Sequence, residues 1–272
     1  MIPNSNSLRW CTIAMAALVL PVRGAQAPKQ IDVKPLTRTV EDVVVPLPNE
    51  VFGALNKLGP VNWKEYVRSE KGANFTERPR IALLLGTVIA DGFIAVQAED
   101  APAVKEIGQR VLSLAKGINV GSSITPHAKA ITEAADKRKW AQVRTELDRT
   151  QNSVQQAMNE MHDEKLAQLV SLGGWLRGTE VLTAVVSKRF SQDGAELLNQ
   201  PDLVVHFQKQ VASMTEFKGL LLQQIQEGLV EVHPLIAGGP QISQNAVKRI
   251  NEITTRLDGV IVTKDSSGSL RE

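Results

Sequence analysis

Two stretches of this chain are apolar around nearly the whole circumference of a helix, and each carries charge at its centre. The first holds Ile81, Leu83, Leu84, Leu85, Val88, Ile89, Phe93, Ile94 and Val96, with Asp91 among them. The second runs from Leu166 to Val186, with Arg177 and Glu180 in its middle. A helix that is apolar all round belongs in the centre of a fold. A charge left unpaired there is strongly destabilising, so each of these needs a partner or a route to water. Both stretches also carry small residues at four-residue spacing, Gly86 with Ala90 and Gly174 with Gly178, which lets two backbones come close. The spacing predicts that the helices cross at these glycines and that Asp91 meets Arg177 across the contact.

The remaining pattern is helical as well. A first helix is expected from about Pro79 to Ala98. Asp100 then caps a second, Pro102 fills its first turn, and Val104, Ile107, Val111, Leu114 and Ile118 form one stripe before Gly117 and Gly121 end it. Thr125-Pro126 reads as a cap and first-turn proline opening a helix to about Lys139. Trp140, Val143, Leu147, Val154, Ala157 and Met161 follow an alternating three- and four-residue spacing broken only by Thr150, the mark of a long bundle helix. Its solvated face is expected to hold Arg144, Glu146, Asp148, Arg149, Gln155 and Gln156. Further helices are predicted near Asp202 to Met214, from Glu216 to Val232 behind a Thr215 cap with a stop at His233-Pro234, and after a Ser243 cap. In the last, Val247, Ile250, Leu257 and Ile261 share a face with Thr254 between them. Short connections favour antiparallel neighbours, so the reading is an all-α, antiparallel multi-helix bundle over residues 48–263.

The N-terminal residues 1–27 read as a secretory signal peptide. Arg9 precedes an uncharged apolar run from Thr12 to Leu20, and Ala25-Gln26-Ala27 forms a small-residue exit. That apolar core is too short for a permanent membrane span, which places the mature chain in the periplasm or outside the cell. Residues 28–47 hold prolines and clusters of Val and Thr and read as an extended tether, with a short strand at Val43-Val44-Val45; residues 264–272 read as a disordered polar tail. Loss of the leader removes Arg9, Arg23 and Cys11, leaving 29 basic against 29 acidic residues and no cysteine. A neutral chain has no electrostatic footprint for nucleic acid, and one without cysteine builds no disulfide and no thiolate metal site.

Candidate chemistry is sparse. Asp91, Arg177 and Glu180 could line a small polar pocket in which the Arg fork holds a carboxylate or phosphate, or could be an ion pair that fixes helix register; the register role is the better attested use of such groups. No catalytic residue and no metal site is predicted: HExxH, GxSxG, Walker and GxGxxG patterns are absent, and Asp202 with His206 forms only a lone pair on one helix. Neither apolar helix has the roughly 18 uninterrupted apolar residues of a spanning segment, so no transmembrane helix is expected in the mature chain. From Ala134 to Leu147 a helix ends in a charged turn and the next opens with Trp140, Val143, Arg144 and Leu147. This stretch resembles a helical hairpin of periplasmic cytochrome c′-type bundles, but the chain lacks their Cys-x-x-Cys-His attachment, so no covalent haem, nor any other cofactor, is expected. The functional expectation is a non-catalytic binding or scaffolding role in the cell envelope, with an envelope protein or a small anion as partner. The alternative is an enzyme pairing Asp91 with Glu180 or Glu99 as acid and base.

Overall fold

Five consecutive helices are joined by four copies of one three-residue device. They are α1 (Arg78–Gln97), α2 (Ala101–Gly117), α3 (Gly121–Asp136), α4 (Trp140–Glu160) and α5 (Glu164–Lys188). The middle residue of each junction is left-handed: Glu99, Asn119, Arg138 and His162 have φ of 52°, 67°, 53° and 53°. The next residue then donates its N–H back to the carbonyl five positions earlier, Asp100 to Ala95, Val120 to Ala115, Lys139 to Ala134 and Asp163 to Met158, at 2.9–3.2 Å. This closure satisfies carbonyls that a helix end otherwise leaves unpaired, and with so short a connection it forces the chain to reverse. Asp100 serves twice, since its side chain also accepts from the Ala103 N–H and so caps α2.

None of the four left-handed positions is glycine, and an L-residue in that conformation costs roughly 1–2 kcal/mol before the greater freedom of glycine in the unfolded chain is counted. Glu99 and Arg138 are exposed, so replacing them loses no packing. Glu99→Gly and Arg138→Gly should therefore each raise stability, by up to about 1 kcal/mol. Urea midpoints at unchanged slope measure this; a fall in midpoint for both would contradict it.

The computed structural model describes residues 37–40, 43–46, 53, 56–68, 75–217, 219–237 and 241–263. The leader expected over 1–27 and the tail expected over 264–272 lie outside the described residues. Within the stretch expected to be a tether, β1 (Thr37–Val40) and β2 (Val43–Pro46) pair antiparallel, with Thr37 opposite Pro46 and Val40 opposite Val43. The expected strand at 43–45 thus finds its partner in the preceding Thr37-Arg38-Thr39-Val40, a run rich in β-branched residues.

The short helix α6 (Gln192–Glu196) follows α5, capped by Ser191, whose hydroxyl accepts from the Gly194 N–H at 3.1 Å. Then come α7 (Pro201–Ser213), α8 (Leu220–Ile236) and α9 (Gln244–Val262). Ser243 caps α9 as expected, accepting from the Ala246 N–H at 3.1 Å. Helix boundaries differ from expectation where proline was given too much weight. The closure at Asn119 starts α3 at Gly121, so Pro126 sits inside the helix; Thr125, expected as the cap, instead donates its hydroxyl to the Gly121 carbonyl at 2.8 Å. Likewise α8 begins after Gly219 and not after Thr215, and runs through Pro234 to Ile236. A proline removes one ladder bond, and near a helix end tertiary packing outweighs that loss.

The molecule is an all-α helical bundle with α5 at its centre, packed most extensively against α1 and then α9. Four reversals separate α1 from α5, an even number, so this central pair runs parallel. The contacts agree: Gly86 lies against Val170 and Gly174, and further along both helices Asp91 meets Arg177. The antiparallel expectation is thus corrected for this pair, while α9 runs antiparallel to both, with Thr87 beside Asp258 and Arg80 bonded to the Thr263 carbonyl. Leu83, Leu84, Leu85, Leu172, Leu176, Ile250 and Leu257 are all essentially inaccessible at this junction.

The glycine contact is closer than the sequence spacing implies, and is displaced from it. A Cβ on Gly86 would lie 1.9 Å from the Val170 carbonyl oxygen, and one on Gly173 would lie 2.0 Å from that of Leu83. Gly178, expected in the contact, has nothing within 4 Å of such an atom. The crossing therefore uses Gly86, Gly173 and Gly174. α1 is long and apolar enough to cross a bilayer by length and composition alone, contrary to the expectation from its interrupting Asp91; 78% of that apolar window is buried inside the bundle.

Candidate functional site

A turn before the central helices are engaged, the chain supplies their cover. Trp63 opens a 3₁₀ turn, Trp63–Tyr66, and is buried in a small cluster with Ile94, Val181 and Val185. Anchored there, the segment carries the Tyr66 carbonyl and the Arg68 side chain to the crossing of α1, α5 and α9.

Asp91 and Arg177 meet as expected, with Arg177 Nε donating to Asp91 Oδ1 at 2.7 Å. Both are buried, at 1% and 3% exposure. Arg177 Nη1 donates to Glu180 one turn along α5, and Nη2 to the Tyr66 carbonyl at 2.7 Å. All three nitrogens of the fork are thus engaged within the protein. The structure brings Asp91, Arg177 and Glu180 together and adds two members that the sequence reading did not include. Arg68 reaches Asp91 through Nη2, 3.0 Å from Oδ2, and also donates through Nη1 to Asp258. Asp258 further accepts from the Thr87 hydroxyl at 3.4 Å.

Asp258 was detectable. It stands four residues after Thr254 and three before Ile261, on the buried stripe of α9, where all three residues are at most 2% exposed. Arg68 was not, because it lies in an irregular segment whose position depends on Trp63 packing.

Three carboxylates, Asp91, Glu180 and Asp258, therefore face two guanidinium groups, Arg68 and Arg177. With every group ionised the cluster holds one excess negative charge in a largely buried setting. Burial raises the Asp258 carboxyl from its ordinary 3.8 to about 6, against the opposing pull of Arg68 and Arg177 and with a smaller push from Glu180. Because the folded value lies above the unfolded one, the native state binds the extra proton between these limits. This contribution to stability is complete below pH 3.8 and lost as pH rises through 6. Asp258→Asn mimics the protonated form, so its stability relative to wild type should rise between pH 4 and 7, by up to about 3 kcal/mol. Paired urea titrations at both pH values test this; a difference that does not change with pH would contradict it.

Beside Asp91 a shallow cleft opens, lined by Arg68, Val88, Asp91, Glu106, Ile107 and Arg110. Arg177 and Glu180 do not line it. Glu99 is exposed at its left-handed junction, outside this cluster. Of the other sequence candidates, His206 bonds Gln168 through Nε2 at 3.0 Å, and no group of three or more potential metal ligands occurs among the described residues.

A second polar cluster lies between α3 and α4. Glu146, expected on a solvated face, is 7% exposed and accepts from Arg149 Nη1 at 2.7 Å. The ring of His127 bridges it to Ser153, with Nδ1 3.4 Å from Glu146 Oε2 and Nε2 2.9 Å from Ser153 Oγ. The closure at Arg138 turns α4 back along α3, setting His127 opposite the span from 146 to 153.

Compared with known proteins, the chain matches no family model, no curated protein and no solved structure.

Proposed function

We propose that this is an exported protein with a binding or scaffolding role in the cell envelope, in which Asp91, Arg177 and Glu180 form an internal clasp. The observation that carries the clasp is the buried fork of Arg177: with 3% of the residue exposed, and Nε on Asp91, Nη1 on Glu180 and Nη2 on the Tyr66 carbonyl, it leaves little room for an incoming carboxylate or phosphate. Export is supported by the apolar run from Thr12 to Leu20 and the Ala25-Gln26-Ala27 exit. A mature chain with equal numbers of acids and bases would recognise an envelope protein through shape and hydrogen bonding more than through bulk charge.

A small anion is the second reading, favoured by the cleft beside Asp91, which presents Arg68 and Arg110 next to Glu106. An acid and base pair of Asp91 with Glu180 is disfavoured because both carboxylates accept from the same arginine, and Glu99 lies outside the cluster. The test is to produce the full chain in a Gram-negative host, fractionate it, and record native mass spectra. The envelope reading expects the protein in the periplasmic fraction, shorter by the leader; full-length protein confined to the cytoplasm would overturn it. Millimolar phosphate or acetate should leave the thermal midpoint unchanged if the clasp is closed, whereas a saturable rise would favour the anion reading.

A further inference from the structure

The cluster between α3 and α4 places a hydroxyl, an imidazole and a carboxylate in the order that activates a serine. We infer that Ser153, His127 and Glu146 form a nucleophilic site that cleaves small, accessible carboxylic esters. This goes beyond the binding role proposed above, and it concerns helices other than those that carry the clasp.

The argument begins with Glu146. A buried carboxylate only accepts hydrogen bonds, so the nitrogen facing it, His127 Nδ1, is the one that carries the proton. The Nε2 lone pair is then turned to Ser153 Oγ at 2.9 Å, the distance at which a base can take the hydroxyl proton. Ser153 and Glu146 stand seven residues apart, two turns along one face of α4, and His127 reaches them from α3. Glu146 is fixed from its other side by Arg149, so its aim at the imidazole does not depend on His127 alone. Access is graded in the sense a nucleophile needs: the side chains of Glu146 and His127 are 10% and 20% exposed, and Ser153 is half-buried.

In the reaction, Ser153 Oγ forms a bond to the ester carbonyl carbon while its proton passes to His127 Nε2. The tetrahedral adduct collapses with cleavage of the carbon–oxygen bond, and the alcohol leaves with that proton. Water then attacks the acyl-serine, giving its proton to Nε2, and the acid departs as the proton returns to Ser153. Backbone N–H groups at mid-helix are committed to the ladder, so charge on the oxyanion falls to those N–H groups of the Arg149 side chain, one turn before Ser153, that are not held by Glu146; that side chain is 63% exposed. An exposed guanidinium is a weaker aid than a buried oxyanion hole, which confines the reaction to esters with good leaving groups.

The experiment treats the full chain with a fluorophosphonate probe, locates the label by peptide mass spectrometry, and follows p-nitrophenyl acetate hydrolysis alongside. Label on Ser153, absent from Ser153→Ala, is expected. His127→Gln should label about 10²–10⁴-fold more slowly, the usual worth of a general base. Glu146 acts as a positioning residue, so Glu146→Gln should move the pH profile of labelling and not merely lower it. Circular dichroism establishes that each variant is folded; if His127→Gln is not, the comparison of wild type with Ser153→Ala still decides the matter. Folded wild-type protein that takes no label, label on another residue, or wild-type rates in folded His127→Gln would overturn the assignment.

Discussion

Gly173→Ala should be among the most destabilising single methyl additions in the helices of this protein. The new Cβ would stand 2.0 Å from the Leu83 carbonyl oxygen and 2.9 Å from its carbon, which are backbone atoms of α1 and cannot rotate away. The helices would have to separate, and the contact holding Asp91 to Arg177 lies one turn further along α5. Overpacking of a tight core costs about 1–3 kcal/mol where side chains can shift. Here backbones must move, so a loss of at least about 3 kcal/mol is expected, a large part of the stability of an ordinary domain. Gly86→Ala, meeting the Val170 carbonyl oxygen at 1.9 Å, should behave alike. Gly178→Ala is the control with the opposite sign: nothing lies within 4 Å, and alanine in a helix interior is worth up to about 1 kcal/mol over glycine. Urea unfolding of the three variants checks both directions at once. Equal, small effects at Gly173 and Gly178 would show that the crossing is looser than the geometry described above.

The contrast between Gly173 and Gly178 also shows how far the sequence could be read. Spacing alone marked a small-residue contact and correctly joined Asp91 to Arg177, because apolar periodicity leaves an interior charge few choices of partner. It misplaced the contact by one residue: Gly174 with Gly178 fits a four-residue pattern, whereas the backbone approach is made by Gly173 with Gly174. Helix ends were legible where a side chain does the capping, at Asp100 and Ser243. They were not where the backbone does it, since left-handed Glu99, Asn119, Arg138 and His162 share no residue type. Arg68 and the pairing of His127 with Ser153 were illegible for a related reason: their contacts join elements whose placement is set by packing elsewhere, at Trp63 in one case and the Arg138 junction in the other.

Arg177→Ala should be the most damaging change at the cluster, and the reason is what it leaves behind. Removing the guanidinium strips Asp91 Oδ1 of its 2.7 Å bond, Glu180 of its ion pair and the Tyr66 carbonyl of its donor. Deleting one partner of a buried pair typically costs about 3–5 kcal/mol, because the remaining charge stays buried without compensation. Arg68 softens the loss at Asp91 but is already shared with Asp258, so it cannot neutralise three carboxylates. Arg177→Lys should recover little, as a single ammonium cannot span acceptors held in three directions by a planar fork. Arg177→Met combined with Asp91→Asn should be more stable than Arg177→Met alone, since it removes one stranded charge while preserving volume. Chemical denaturation of the two single variants and the pair supplies the cycle. If the double variant is no more stable than Arg177→Met, Asp91 does not depend on Arg177 for its compensation, and the clasp is not the element that holds α1 to α5.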